Sequence, residues 1–473
     1  MIRTLCGLIV LTFLAGCAVA NPTVDKMSYG KFGELTVYRN STEPSHMVLF
    51  VSGDGGWNQG VVSMAKQLVA QDATVVGIDI RKFLKATEAT KDACAYPAAD
   101  FEQLSQFVQK KLGFKGYHRP VLAGYSSGAT LVYALLGQAP RGTFLGAISL
   151  GFCPDLEIKH PWCKGFGLEY TKRPDGNGVD FSVMPSISEP WRVLQGDQDQ
   201  VCNSASTKAF VAQVPAGKIY ALPTVGHGFS VERNWMPQFL NAFDEIVQAS
   251  RKPAPLPPIG QAATPAAADV SSLPLVEVPS SGPDTDTLAI LMTGDGGWAG
   301  LDREVAKRIA ARGVPVVGFD TLSYFWNKRT PDEAARAVDS IIEHYQAAWR
   351  KRRVILIGYS FGADVMPFVA RRLPPATRAE VRLMTLIVPS KSAQFEFHVA
   401  EWAGFSADDS LPTLPEMQSL TGLRTLCIYG TDEKDSLCPL LGPLGAKIVG
   451  LQGGHHVGGD YDGLVREIMT AVE

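Results

Sequence analysis

Short runs that are almost uniformly apolar alternate along the chain with longer stretches in which apolar residues return every three or four positions. Residues 47–51, 74–80, 120–123, 289–292, 315–319, 354–357 and 425–429 are of the first kind. Runs this short and this uniform are the pattern of strands buried on both faces. Residues 61–70, 101–112, 304–312 and 331–350 carry helical spacing. Strand–helix alternation predicts an α/β fold in which mostly parallel sheets are covered by helices on both faces. Ligands of such sheets bind beyond the carboxyl ends of the strands, so the residues that follow the apolar runs are where chemistry is expected.

Those residues occur twice. Gly53-Asp54-Gly55-Gly56-Trp57 returns as Gly294-Asp295-Gly296-Gly297-Trp298, and Val75-Val76-Gly77-Ile78-Asp79 as Val316-Val317-Gly318-Phe319-Asp320. Gly124-Tyr125-Ser126-Ser127-Gly128-Ala129 returns as Gly358-Tyr359-Ser360-Phe361-Gly362-Ala363. Asp199-x-x-Cys202 has its counterpart in Asp435-x-x-Cys438, and Gly226-His227 in Gly454-His455. Five motifs in one order predict two homologous α/β-hydrolase-like domains in tandem, residues 21–250 and 274–473. The stretch between them, residues 251–273, is rich in Pro, Ala and Ser and predicts an extended linker.

Composition narrows the function classes. Hydrophobic residues at 46% and charged residues at 19% describe a globular chain, not a disordered one. A net charge of −3 argues against nucleic acid as a partner, since phosphate binding needs a basic field. Residues 1–20 combine Arg3 with an apolar run over 8–14 and predict an export signal. Leu14-Ala15-Gly16-Cys17 has the form of a lipobox, in which Cys17 would be lipidated and anchor the chain to a membrane; Ala18-Val19-Ala20 is the alternative, an ordinary signal-peptidase site. Either route leads to a periplasmic location, where disulfides persist. Cys427 and Cys438 are expected to bridge, while Cys94, Cys153, Cys163 and Cys202 allow more than one pairing. No CxxC spacing suggests zinc, and no metal or other cofactor is expected.

The G-x-S-x-G motif between a strand and a helix is the nucleophile elbow of α/β-hydrolases. A serine nucleophile needs a histidine base and a carboxylate to orient it, in the chain order Ser, Asp, His. In the second half Ser360 and His455 fill two places, with His456 the alternative base. Asp432, Glu433 and Asp435 compete for the third; the D-x-x-C spacing selects Asp435, with Asp432 next. In the first half the set is Ser126, Asp199 and His227, with Asp197 the other acid. The glycines of the repeated turn, Gly55, Gly56, Gly296 and Gly297, are expected to form oxyanion holes with the amides of Ser127 and Phe361. Trp298 either contacts substrate or packs over its turn. In residues 324–329, Tyr324, Trp326, Lys328 and Arg329 combine aromatics with cations and are candidates for a lipid headgroup.

In the second half GDGGW, SYFWNKRTP, GYSFGADVMPF, D-S-L-C-P and GGHH together resemble the VirJ/AcvB family of bacterial virulence proteins. The two-domain layout with an export signal is similar to the longer AcvB-type members. The first half departs from the pattern: Phe83-Leu84-Lys85-Ala86-Thr87 stands in place of the aromatic-cationic stretch, and there is one histidine instead of two. The resemblance implies a periplasmic hydrolase of aminoacyl-phosphatidylglycerol, a membrane phospholipid carrying an amino acid in ester linkage. The chemistry then asks for an acidic partner for the free ammonium, and Asp295 is a candidate. The alternatives are a hydrolase of another ester or amide, and a periplasmic adaptor or chaperone for secretion substrates.

Overall fold

The computed structural model describes residues 22–91, 93–251, 268–399 and 410–472. The export segment with Cys17, and most of the Pro/Ala-rich stretch, lie outside the described residues.

Two sheets carry the fold. The first has eight strands in the order Thr23–Tyr29, Gly33–Arg39, Ala73–Ile78, His46–Val51, Val121–Tyr125, Gly146–Leu150, Trp191–Gly196 and Gly217–Leu222. The second has seven: Leu275–Val278, Val316–Phe319, Thr287–Met292, Arg353–Tyr359, Val381–Ile387, Thr425–Gly430 and Lys447–Leu451. Six strands of each are parallel to their neighbours, and the antiparallel ones lie at one edge. This is the predicted α/β architecture.

The uniformly apolar runs have a direct cause. Successive residues of a strand point to opposite faces, and both faces are packed. Leu49 and Val51 join the core on one side of the first sheet, Val48 and Phe50 the core on the other. Leu288 and Ile290 likewise oppose Ala289 and Leu291 in the second. The run 74–80 ends sooner than its composition suggests. Asp79 accepts a hydrogen bond from the Arg81 amide and caps a helix, Ile80–Glu88, because a short acceptor at this position satisfies an otherwise orphan amide. Between the strands Gly146–Leu150 and Trp191–Gly196 of the first half, within residues 152–190, Asp155–Leu156, Tyr170–Lys172 and Val179–Phe181 form a separate small antiparallel sheet.

Disulfides join Cys94 to Cys163, Cys153 to Cys202 and Cys427 to Cys438. None of the described helices is long and apolar enough to cross a membrane.

The halves pack directly on one another, and the segment 324–329 is the fastening. Trp326 is 1% exposed. Its Nε1 donates to the Phe114 carbonyl at 2.7 Å, its ring stacks on Phe397, and Lys110 Nζ lies 4.8 Å from the ring centre. Lys110 also donates to the Trp326 carbonyl, and Asn327 Nδ2 to the Lys115 carbonyl at 2.9 Å.

Candidate active site

Each G-x-S-x-G serine sits where a strand turns sharply into a helix. Ser126 has φ 56° and Ser360 φ 51°, a left-handed backbone that L-residues adopt only under constraint. The flanking glycines explain the tightness. A Cβ on Gly124 would lie 2.1 Å from the Gly128 carbonyl oxygen, and one on Gly358 2.5 Å from that of Gly362. The strained turn holds each hydroxyl above the sheet.

In the first half, Ser126 Oγ is 2.9 Å from His227 Nε2, and His227 Nδ1 is 2.9 Å from Asp199 Oδ2. The Asp199 carboxylate also accepts from Gln195 Nε2 and from the amides of Val201 and Cys202. Asp197 is engaged with Ser204 and Lys208 instead. Asp199, Cys202 and His227 lie close enough to share an ion, but the Cys202 sulfur is in a disulfide and His227 Nδ1 is bonded to Asp199.

In the second half, Ser360 Oγ is 2.7 Å from His455 Nε2, and His455 Nδ1 is 2.6 Å from Glu433 Oε1. The acid that reaches the histidine is therefore Glu433, which corrects the assignment of Asp435. The Asp435 side chain is 86% exposed and pairs with Lys391. Asp432 is also exposed, its amide bonded to the Gly453 carbonyl. The reason lies in the turn. The Asp199 amide donates to the carbonyl of Gly196, the last residue of its strand, and the Glu433 amide donates to that of Gly430, the last of its own. Both acids are thus the third residue past the strand, and the loop to the cysteine is longer in the second half. Both glycines are needed there. A Cβ on Gly196 would meet the Val225 carbonyl at 2.1 Å and one on Gly430 that of Gly454 at 2.2 Å, because the histidine loop crosses above.

His456 faces elsewhere. Its Nδ1 is 2.8 Å from the Tyr359 hydroxyl. Desolvation of the ring and the neighbouring His455 hold its pKa below the usual value.

The glycine turn is more constrained than its sequence suggests. The amides of Gly56 and Gly297 donate to the carbonyls of Gly53 and Gly294, so these two glycines close the turn and do not offer donors to an oxyanion. The turn comes close to the nucleophile at its first glycine: a Cβ on Gly53 would lie 2.9 Å from that of Ser126, and one on Gly294 3.5 Å from that of Ser360. That leaves the start of the turn, at Asp54 and Gly55 or Asp295 and Gly296, and the residue after each serine, Ser127 or Phe361, as the candidates for oxyanion donors.

Trp298 packs back onto the neighbouring strand Val316–Phe319. A Cβ on Gly318 would lie 2.1 Å from its ring, and Trp57 covers Gly77 at 2.2 Å in the same way. Tyr324 is buried against Phe319 and Phe325, with the Arg329 guanidinium 5.0 Å from its ring centre. Trp326 is in the domain contact, and Lys328 is exposed. None of Trp298, Tyr324, Trp326, Lys328 and Arg329 lines the cleft at Ser360, which corrects their assignment to substrate.

That cleft has a volume of about 940 Å³ and lies between the halves. Asp295, Tyr359, Ser360, His455 and His456 form one wall, and Tyr96, Glu102, Gln106 and Phe166 of the first half form the other. Glu102 and Gln106 went unnoticed in the sequence. They stand on the helix Pro97–Lys111, and no motif in a chain shows which surface of one domain will face the other's nucleophile.

Several solved structures are similar to one half. The esterase domain from a Rhodothermus marinus protein is 13% identical, with 49% of this chain and 99% of that chain covered and a TM-score of 0.32. Est1E from Butyrivibrio proteoclasticus is 14% identical over 48% of this chain and 99% of that one, with a TM-score of 0.31. XC6422 from Xanthomonas campestris, a serine hydrolase without a lid, is 20% identical over 50% of this chain and 97% of that one, with a TM-score of 0.31. A search of curated proteins finds no match to the chain. The family model for Bacterial virulence protein (VirJ) matches residues 45–143 and 286–473, more than half of the sequence, and the chain belongs to the VirJ family.

Proposed function

We propose that the protein is a serine esterase that hydrolyses aminoacyl-phosphatidylglycerol, such as the lysyl or alanyl lipid, outside the cytoplasm. The observation that carries this reading is the Ser360–His455–Glu433 line opening into the interdomain cleft. His455 Nε2 accepts the Ser360 proton as Oγ attacks the aminoacyl carbonyl carbon, and Glu433 holds the imidazole in the tautomer that can accept it. The amides at Phe361 and at the start of the glycine turn stabilise the oxyanion. The ester C–O bond then breaks, and His455 returns its proton to the departing glycerol oxygen. Water, deprotonated by His455, attacks the acyl-serine carbonyl, the acyl C–Oγ bond breaks, and His455 returns the proton to Ser360 as the amino acid leaves.

The three disulfides support a location in an oxidising compartment. With the export signal, they favour the periplasm and access to membrane phospholipid. The test is a lipid comparison between cells lacking the protein and the same cells complemented with wild type, Ser360→Ala or Ser126→Ala. Aminoacyl-phosphatidylglycerol accumulates in the null strain, falls on complementation with wild type, and stays high with Ser360→Ala. Lipid levels that do not respond to Ser360 would sink the proposal.

A further inference from the structure

The cleft at Ser360 is completed by the first domain, and its chemistry is one-sided. Its walls carry the carboxyls of Glu102, Asp295 and Asp302 and no lysine or arginine among the described residues. Glu102 comes from the helix Pro97–Lys111 of the first half and reaches across to the second. Its Oε1 lies 3.7 Å from where a Cβ on Gly296 would stand, so it faces the glycine turn beside the nucleophile. Asp295 precedes Gly296 on the same turn. In the first half the equivalent Asp54 accepts a hydrogen bond from the Ser127 hydroxyl at 2.5 Å.

A second observation points to a ligand. Gln106, one helical turn beyond Glu102, is fully buried in the cleft wall, and neither its Oε1 nor its Nε2 has a hydrogen-bond partner. Asp302 Oδ1 in the same wall is buried and also without one. Buried polar atoms are almost always paired, and the acceptors among these, the Gln106 Oε1 and the Asp302 Oδ1, share a wall with the Glu102 carboxyl and suit a group that donates several hydrogen bonds at once. A primary ammonium has three such donors and no acceptor.

We infer that Glu102 and Gln106 of the first domain, with Asp295 of the second, form a subsite for the ammonium of a cationic acyl group whose carbonyl is presented to Ser360. The first domain is then a specificity element for the second domain's chemistry. This rests on the esterase reading above and names the part of the substrate that the cleft selects. The electrostatics agree. Burial and the facing Asp295 push the Glu102 carboxyl up to about 8, so the empty cleft holds a pair of carboxyls that repel when both are charged. A bound cation relieves that repulsion.

The experiment compares p-nitrophenyl esters of alanine and of N-acetylalanine on the intact two-domain protein at pH 6.5. They share one acyl skeleton, and only the first carries an ammonium. The readout is the ratio of their kcat/KM values, which a general folding defect lowers in both terms and leaves in place. Wild type favours the ammonium ester. Glu102→Gln lowers that ratio by about tenfold or more, because the arriving ammonium displaces the Glu102 proton and gains a charged partner that the variant cannot provide. Glu102→Lys, a change at a half-buried helix position, shifts it further toward the acetylated ester. A ratio within about twofold of wild type in both variants overturns the subsite and leaves the esterase standing. Hydrolysis undiminished in Ser360→Ala overturns both.

Discussion

Glu433 Oε1 lies 2.6 Å from His455 Nδ1, while Asp435, two residues on, is turned to solvent and Lys391. The loop that carries Glu433 is held at both ends. It leaves the strand at Gly430, and the disulfide from Cys427 in that strand to Cys438 closes it. The carboxylate is therefore presented from a braced turn. Glu433→Gln should lower kcat/KM for ester hydrolysis by about a thousandfold or more, since an amide favours the wrong imidazole tautomer. Asp435→Asn should leave it within about twofold, as expected of an exposed pair. A loss that follows Asp435 and spares Glu433 would refute the assignment.

Two complete Ser–His–acid lines predict two reactive serines. Ser126 has the same elbow geometry as Ser360, and the carboxylate behind its histidine accepts from three further donors. Its surroundings differ, since the large cleft opens at Ser360 and includes no residue of the Ser126 line. A fluorophosphonate probe is expected to label both serines. Ser126→Ala and Ser360→Ala should each remove one label, seen by intact mass. Hydrolysis of the alanine ester should fall with Ser360→Ala and persist in Ser126→Ala. Labelling of a single serine in the wild type would show that one line is assembled but unreactive.

What the sequence made legible follows from how local each signal is. The strands show because both faces of each sheet are buried, so runs such as 47–51 and 289–292 contain no polar residue to dilute them. The serines show because each is fixed by a turn that demands neighbouring glycines, Gly124 and Gly128 or Gly358 and Gly362, and the histidines show because the Gly-His pair recurs in both halves. The second acid was misplaced because D-x-x-C counts back from a cysteine, whereas the turn counts forward from the strand end at Gly196 or Gly430. A count from those glycines would have found Glu433. Trp326 and Arg329 looked like a headgroup site because aromatic and cationic residues at a strand end suit either a ligand or a domain contact, and composition does not separate the two. Glu102 and Gln106 left no trace, because their role depends on a partner domain almost 200 residues away along the chain.

Trp326 makes the domain contact testable. Its ring is enclosed by Phe114, Tyr117 and Phe397, and its Nε1 bond to the Phe114 carbonyl crosses between the halves. Trp326→Ala removes that ring from a closed apolar cluster and should destabilise the contact by about 3–5 kcal/mol. Urea unfolding followed by fluorescence should show two separated transitions in the variant where the wild type unfolds more cooperatively. The alanine-ester preference should weaken with them, because the first domain's wall would no longer be held against Ser360. An unchanged unfolding profile would mean that the contact does not couple the domains.

Glu102 makes a prediction about pH in the empty protein. Its carboxyl is raised to about 8 by burial and by Asp295, against an ordinary 4.5. Between those values the folded protein holds a proton that the unfolded chain has released, so unfolding stability falls as pH rises through this window. Glu102→Gln has no proton to lose there. Other groups facing the cleft, among them Asp302, Tyr96, Tyr359, His455, His456 and Tyr461, remain in both proteins, so comparing the two isolates the Glu102 contribution. The variant and wild type should melt together near pH 5, and the variant should melt at the higher temperature by pH 8.5. A small cation that stays charged at pH 8.5, such as propylammonium, should narrow the gap there, because it binds the charged carboxylate of the wild type and finds no such group in the variant. A melting difference that stays constant from pH 5 to 8.5 would show that Glu102 ionises as freely as a surface carboxylate and that the facing pair is not strained.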